Sequence, residues 1–266
     1  MSRALPSPEQ PIQTLCTRHS DIMHAPYMHL PCMKNHARRF ANGLNILIDS
    51  KLLVSETGGD CWLGGVFLCR LLEANRGWVE GKRVVELGAG TGFLSMAVHL
   101  LGSAECVCTD RGNMLELMRK NFKENRKLLQ GQPGTIIRCE CDWDAVRERG
   151  ILPRELAPQM ERPGFDLVLA SDVIYEDVER ADALVAVLCA LCTPRTIVLL
   201  CQSCRNARLE AHLFEATKRA GFRVTEISQN ANCSPDREAI AACDIGIWRL
   251  EPPQQPATLQ SSSDVM

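Results

Sequence analysis

The residues best placed to do chemistry sit at the ends of short apolar runs. In Val84-Val-Glu-Leu-Gly-Ala-Gly-Thr-Gly-Phe, a β-branched stretch leads into Gly88, Gly90 and Gly92, with Ala89 between the first two and Glu86 just upstream. Glycines there let the backbone turn tightly and let a ligand approach the main chain. Asp110 closes the next apolar run, where an acidic side chain accepts hydrogen bonds from a ribose diol. Strand, glycines, helix and strand-terminal acid together describe a nucleoside-cofactor site. Dinucleotide folds favour G-x-G-x-x-G, with a pyrophosphate at the helix N-terminus. The spacing here is G-x-G-x-G. Glu86 facing that loop would repel a pyrophosphate and attract a cationic amino-acid moiety, which favours S-adenosylmethionine over a nicotinamide dinucleotide. Further along, Asp172 and Tyr175 stand just beyond a fourth apolar run, at the edge where doubly wound sheets bind ligands.

These residues need a scaffold that brings strand ends together, and the hydrophobic pattern supplies one. Strand-like runs cover 82–87, 106–109, 135–139, 165–170, 196–201, 222–227 and 244–250. Helical spacing covers 62–73, 91–101, 113–125, 178–191 and 208–220. Asn113 with Glu116 has the spacing of a capping box, and Gly221 suits the end of the last helix. Alternation of strands and helices implies an α/β fold with a parallel, doubly wound sheet.

All 18 glycines lie between Gly43 and Gly246, whereas eight of the 14 prolines lie outside that window. One domain over 43–250 follows, with an extension over 1–42 that is poorly ordered in part and a disordered tail over 251–266. Lys and Arg number 30 against 32 Asp and Glu, for a net charge of -2. That balance argues against nucleic-acid binding by phosphate neutralisation. The basic cluster from Arg111 to Lys127 is read as a solvated helix face. The longest apolar run, Ala183 to Cys192, is about half the roughly 20 residues a membrane span needs. With no apolar leader at the start, a cytoplasmic protein is expected, with the nucleus as a further location, and a monomer.

Fourteen cysteines then read as thiols. The C-x-x-C pairs Cys189/Cys192 and Cys201/Cys204 resemble zinc knuckles, but their surroundings are those of a buried helix and strand, where a thiol packs as a small hydrophobe. Cys16 and Cys32 near His19, His24, His29 and His36 match no zinc spacing. No metal site is expected.

Glu86-Leu-Gly-Ala-Gly-Thr-Gly, Asp110, Cys141-Asp-Trp-Asp and Leu169-Ala-Ser-Asp-Val-Ile-Tyr together resemble the seven-β-strand methyltransferases of family 16. More narrowly, the chain is similar to the methyltransferase-like 21 group of protein-lysine methyltransferases over about residues 43–250. The glycine turn is shared by the wider superfamily, and Asp172-Val-Ile-Tyr175 narrows it to this family. The resemblance implies a Rossmann-like, seven-stranded sheet, mostly parallel with an antiparallel last strand. It implies S-adenosylmethionine as cofactor and a lysine of a partner protein as acceptor. Glu86 and the turn Gly88, Ala89, Gly90 and Gly92 would hold the methionine part. Asp110 would bind the ribose, Asp142 and Trp143 would flank the adenine, and Trp62 and Ser171 would help close the pocket. Asp172 and Tyr175 would receive the lysine.

The chemistry is consistent with those roles. Transfer from a sulfonium needs a neutral amine, and a lysine of ordinary pKa is neutral at pH 7 only at a cost of roughly 4.6 kcal/mol. A nearby sulfonium eases proton loss, a carboxylate orients the amine, and a tyrosine face attracts its cationic form. Related enzymes often show an aromatic–acidic pair before an arginine after the fifth strand, and this chain has Cys201-Gln-Ser-Cys-Arg205 instead. The rivals are a small-molecule amine acceptor, a non-catalytic binding module on the same fold and, at a distance, a dehydrogenase. The proline-bearing stretch 144–164 is either a substrate lip or a plain surface loop.

Overall fold

Alternate residues along the central strands face opposite layers of helices, and this pattern fixes how the sheet is covered. The computed structural model describes residues 37–39, 42–49, 58–157, 164–175, 177–230 and 237–254. The histidines and cysteines expected in the N-terminal extension, and the tail beyond residue 254, lie outside these described residues.

In chain order the elements are β1 (Ala37–Arg39), β2 (Asn45–Leu47), α1 (Leu63–Ala74), β3 (Arg83–Leu87), α2 (Phe93–Leu100), β4 (Glu105–Asp110), α3 (Leu115–Glu124), α4 (Arg126–Leu129) and β5 (Thr135–Glu140). There follow α5 (Trp143–Arg149), β6 (Leu167–Ser171), α6 (Val178–Leu191), β7 (Ile197–Ser203), α7 (Ala207–Arg219), β8 (Arg223–Glu226), α8 (Arg237–Ala242) and β9 (Ile245–Glu251).

The main sheet has seven strands in the order β5-β4-β3-β6-β7-β9-β8. β5, β4, β3, β6 and β7 pair in parallel, and β9 runs against both of its neighbours. From β3 the chain winds outward through β4 to β5, then returns to β6 on the other side of β3. That reversal opens a crevice at the C-terminal ends of β3 and β6, where such sheets bind ligands. Val84, Cys106, Leu169, Leu199 and Cys201 pack with α1 and α2 in one core layer. Val85, Leu87, Val107, Val168 and Leu200 pack with α6 and α7 in the other. Each such fully buried Val or Leu contributes roughly 1.5–3 kcal/mol relative to an exposed one. Among the described residues no helix is long and apolar enough to cross a membrane.

Three local expectations change. Asn113 does not cap α3: Gly112–Met114 form a 3-10 turn, the cap position is Met114, and Glu116 pairs with Arg119 at 2.7 Å. The start of the stretch 144–164 is helix α5 rather than loop, because Asp142 accepts from the backbone N–H groups of Asp144 and Ala145. Cys189 is exposed, on the outer side of α6, and not buried.

Helix α3 and its C-cap residue supply two asparagines that bind β2 along its backbone. The Asn121 carboxamide accepts from Leu47 N at 2.7 Å and donates to Thr91 O, inside the glycine turn, at 2.9 Å. Asn125 accepts from Asn45 N and donates to Asn45 O, both at 2.8 Å. Asn121 is fully buried, so truncation strands backbone groups that water does not reach. Asn121→Ala should therefore destabilise the protein by about 2–4 kcal/mol. Thermal unfolding followed by circular dichroism checks this, and a melting temperature within a degree of wild type would show that β2 is not held this way.

Candidate active site

The turn after β3 is built on backbone that only glycine adopts readily. Gly88, Gly90 and Gly92 have φ of 69°, 53° and 78°. A Cβ on Gly90 would also lie 2.9 Å from Gly58 O, so the turn is pressed against the segment leading into α1. Asp110, at the tip of β4, ties the turn down: its Oδ2 accepts from Gly90 N and its Oδ1 from Arg111 N, each at 2.7 Å. Asp110 also lines the cleft, and a carboxylate is the acceptor that a ribose diol requires.

Around this turn an open cleft is lined by Trp62, Glu86, Gly88, Ala89, Gly90, Asp110, Trp143, Ser171, Asp172 and Tyr175, together with Asp60, Arg111 and Arg180. Two residues expected at the cofactor do not line it. Gly92 sits behind the wall as the cap residue of α2, and Asp142 spends its Oδ1 on the N-terminus of α5. The α5 cap nevertheless presents Trp143 to the cleft. The Arg180 guanidinium lies 5.7 Å over the Trp143 ring and 3.6 Å from Asp144, bracing that wall against α6.

The Asp172 carboxylate is not a loose group awaiting a substrate. Its Oδ1 accepts from Ser203 N at 2.9 Å and from the Ser203 hydroxyl at 2.7 Å. Its Oδ2 accepts from Gly64 N, in the first turn of α1, at 2.8 Å. A carboxylate at a helix N-terminus meets orphan donors and the positive end of the helix dipole. Asp172 has φ of 51°, a left-handed conformation that aspartate tolerates, and it turns the chain sharply out of β6. Counting acceptor sites, Oδ1 is filled and Oδ2 keeps one. Gln202 holds the next step of the motif, bonding both the N–H and the carbonyl of Ile174 at 3.2 and 2.9 Å. Val173 and Ile174 are buried, while Tyr175 is 38% exposed at the rim.

Several contributors carry no motif. Gly64 is readable only in part, as a glycine pair at the start of a helical pattern, a position where glycine marks close approach. A Cβ there would fall 2.5 Å from Asp172 Oδ2. Ser95 and Arg180 carry no signal, and Ser203 and Arg205 stand out only as part of the segment after the fifth strand, because only the tertiary fold sets them beside the acids. The cysteines that alternate along β4 and β5 are buried, and burial pushes their thiols up, to about 12 for Cys139 and Cys141. Cys204, beside the rim, is pushed to about 11 by partial burial and by Glu210, so none of these is a ready thiolate nucleophile. Among the described residues no group of three metal-ligating side chains occurs.

Glu86 is 2% exposed, with the Ser95 hydroxyl donating to its Oε2 at 2.5 Å. Burial raises its pKa from an ordinary 4.5 to about 8, the hydroxyl and backbone N–H of Ser95 together offsetting only part of the shift. A buried acid with no cationic partner among these causes, lining a cleft, suits a cationic group that restores its ionised form. The donor set thus fits an amino-acid ammonium at Glu86, a ribose diol at Asp110 and a flat base along Trp143. The sign of the pH dependence follows. Between pH 4.5 and 8 the folded state holds a proton that the unfolded chain releases, so stability falls as pH rises and levels above 8. At pH 7 the penalty is on the order of 3 kcal/mol. Glu86→Gln should raise the melting temperature by several degrees at pH 8 and by little at pH 4.5. Equal shifts at both pH values would contradict a buried, proton-holding Glu86.

Comparison with known proteins agrees with this geometry. A family model described as lysine methyltransferase matches residues 42–220. Protein N-lysine methyltransferase METTL21A of Danio rerio is 36% identical over 166 residues, covering 62% of this chain and 69% of that protein. EEF1A lysine methyltransferase 3 of Xenopus tropicalis is 30% identical over 154 residues, and this chain spans 61% of its length and 58% of its own. Among solved structures, the 16S rRNA N2 G1207 methyltransferase of T. thermophilus, in complex with AdoMet and guanosine, superposes with a TM-score of 0.51 at 18% identity, over 85% of this chain and 52% of that one. That likeness bears on the fold alone. The matched region runs from the lead-in to α1 through the last helix before β8, and includes every residue that lines the cleft. This chain belongs to the lysine methyltransferase family, enzymes whose methyl donor is S-adenosylmethionine.

Proposed function

We propose that the protein transfers methyl groups from S-adenosylmethionine to a lysine side chain of another protein. The observation that carries this is Asp172, fixed at the cleft edge with one acceptor site left, in a wall that also holds Trp62 and the partly exposed Tyr175. The bound cofactor supplies a methyl carbon on a sulfonium; transfer breaks the S–C bond, forms an N–C bond and sends the amine proton to water. Glu86 holds the cofactor's ammonium, Asp110 its ribose, and Trp143 walls its base. Ser171 packs the floor beside Asp172. Asp172 orients the amine through Oδ2, and Tyr175 offers its ring to the amine's cationic form. Positioning of this kind supplies most of the acceleration. An open cleft with an exposed tyrosine rim admits a side chain carried on a protein surface and does not enclose a free metabolite. We place the protein in the cytoplasm, with the nucleus as a second location, acting as a monomer without nucleic acid or membrane; fluorescence of a tagged chain and sedimentation test this part.

Two measurements test the activity. Calorimetric titration with S-adenosylmethionine should show a single binding site, and no heat up to millimolar cofactor would overturn the proposal. Lysate incubated with tritiated cofactor and the enzyme should show label in protein bands; label confined to small molecules would favour a metabolite amine instead.

Gly64→Ala isolates the contribution of Asp172. Intrinsic helix propensity favours alanine by up to about 1 kcal/mol, which works against the strain on the Asp172 contact, and circular dichroism checks that the variant is folded. The new Cβ displaces the Asp172 carboxylate, and kcat/KM should fall about 100-fold, the loss expected of a 1 Å misplacement. Cofactor affinity, measured by the same calorimetry, should move only a few-fold. Unchanged turnover in this variant would remove Asp172 from the substrate site.

A further inference from the structure

Beside two residues of the cleft wall, Trp62 and Asp172, stands a cation of the protein's own. Arg205, just past β7, places its guanidinium 4.9 Å from the centre of the Trp62 ring. Its Nη2 lies 3.9 Å from Asp172 Oδ1 and donates to the Ser203 hydroxyl at 3.5 Å. An aromatic face and a carboxylate at one place are the two groups that attract an ammonium. Asp172 is nearly sealed, with a side chain 2% exposed, and a buried charge calls for a counter-charge. Arg205 provides it from a side chain that is 36% exposed and therefore free to swing into solvent.

We propose that Arg205 is a resident cation in the target-lysine site, covering the Trp62 face and balancing Asp172 until a lysine side chain takes its place. This rests on the function proposed above and adds a specificity-determining residue to it. Two cations cannot occupy one face of the same ring, so a lysine that stacks on Trp62 must displace Arg205 in a single exchange. The contacts that hold Arg205 are long: 3.9 Å is an ion pair without a hydrogen bond, and the stacked end is in contact with water. The exchange is consequently easy, yet it lowers the apparent affinity for every lysine and demands that the acceptor protein bring further contacts of its own. The same exchange run backwards helps to clear a methylated lysine, which keeps its positive charge.

Arg205→Gln tests this with two readouts. The probe is Nα-acetyl-lysine methylamide, titrated by tryptophan fluorescence into enzyme saturated with S-adenosylhomocysteine. The variant should bind it about five- to tenfold more tightly than wild type, the competition expected of one exposed ion pair and one exposed cation–π contact. Arg205→Lys, which keeps the charge, should stay close to wild type. With the protein that takes label in lysate as acceptor, KM should fall in Arg205→Gln by more than kcat changes. Probe affinity that is unchanged, weaker or undetectable in Arg205→Gln overturns the assignment. If cofactor binding and protein labelling persist in that case, only the role of Arg205 is lost; if they are absent too, the wider function falls with it.

Discussion

One buried carboxylate sets the geometry of the substrate side. Asp172 joins three elements far apart in sequence: it belongs to the end of β6, caps the first turn of α1 through Gly64 and closes onto β7 through Ser203. Each oxygen is aimed by a backbone N–H, so the carboxylate cannot rotate without breaking a bond to another element. Its left-handed backbone conformation is what lets a strand-end residue reach back under a helix. Trp62 precedes that same helix, Arg205 follows that same strand, and both therefore arrive beside Asp172 as consequences of the clamp.

The two acids of the cleft show how burial and hydrogen bonding oppose each other. Glu86 and Asp172 are both nearly inaccessible to water. Glu86 receives the hydroxyl and the backbone N–H of Ser95 and no cation, and desolvation wins, raising its pKa to about 8. Asp172 receives two backbone donors and a hydroxyl and has a guanidinium nearby. The first is a socket that gains when a cation arrives. The second is a structural member that retains one acceptor site for orienting an amine.

The cofactor half was legible because its signals are local. The glycine turn, the acid at the tip of β4 and the alternating strands are written in contiguous residues whose backbone or period allows few other structures. The seven strands, mostly parallel with an antiparallel last one, followed from the family resemblance and agree with the structure. The substrate half was not legible to the same degree. Asp172 and Tyr175 were visible as a motif, but the donors that occupy Asp172 lie 31 and 108 residues away in sequence. Nor does sequence order tell that Asp142 would cap a helix, that Asn121 would bind the backbone of β2, or that the unfamiliar Cys201–Arg205 segment would put a guanidinium on Trp62. Each depends on which polar groups are left unsatisfied once the chain packs, and that is a tertiary quantity.

The same account links folding to ligand binding. An unliganded Glu86 above neutral pH forces either a buried charge or a proton taken up against its ordinary pKa, and the fold bears that cost. An ammonium at Glu86 removes it, so part of the cofactor's binding free energy appears as stability of the protein. Arg205 meets the corresponding problem at Asp172 differently, standing 3.9 Å away as an internal counter-ion. On the function proposed above, the cofactor socket would gain a counter-charge with its ligand, whereas the lysine site would be balanced in advance and have to be competed for. That asymmetry favours loading the small, abundant cofactor first, and leaves discrimination among protein lysines to contacts made beyond the cleft.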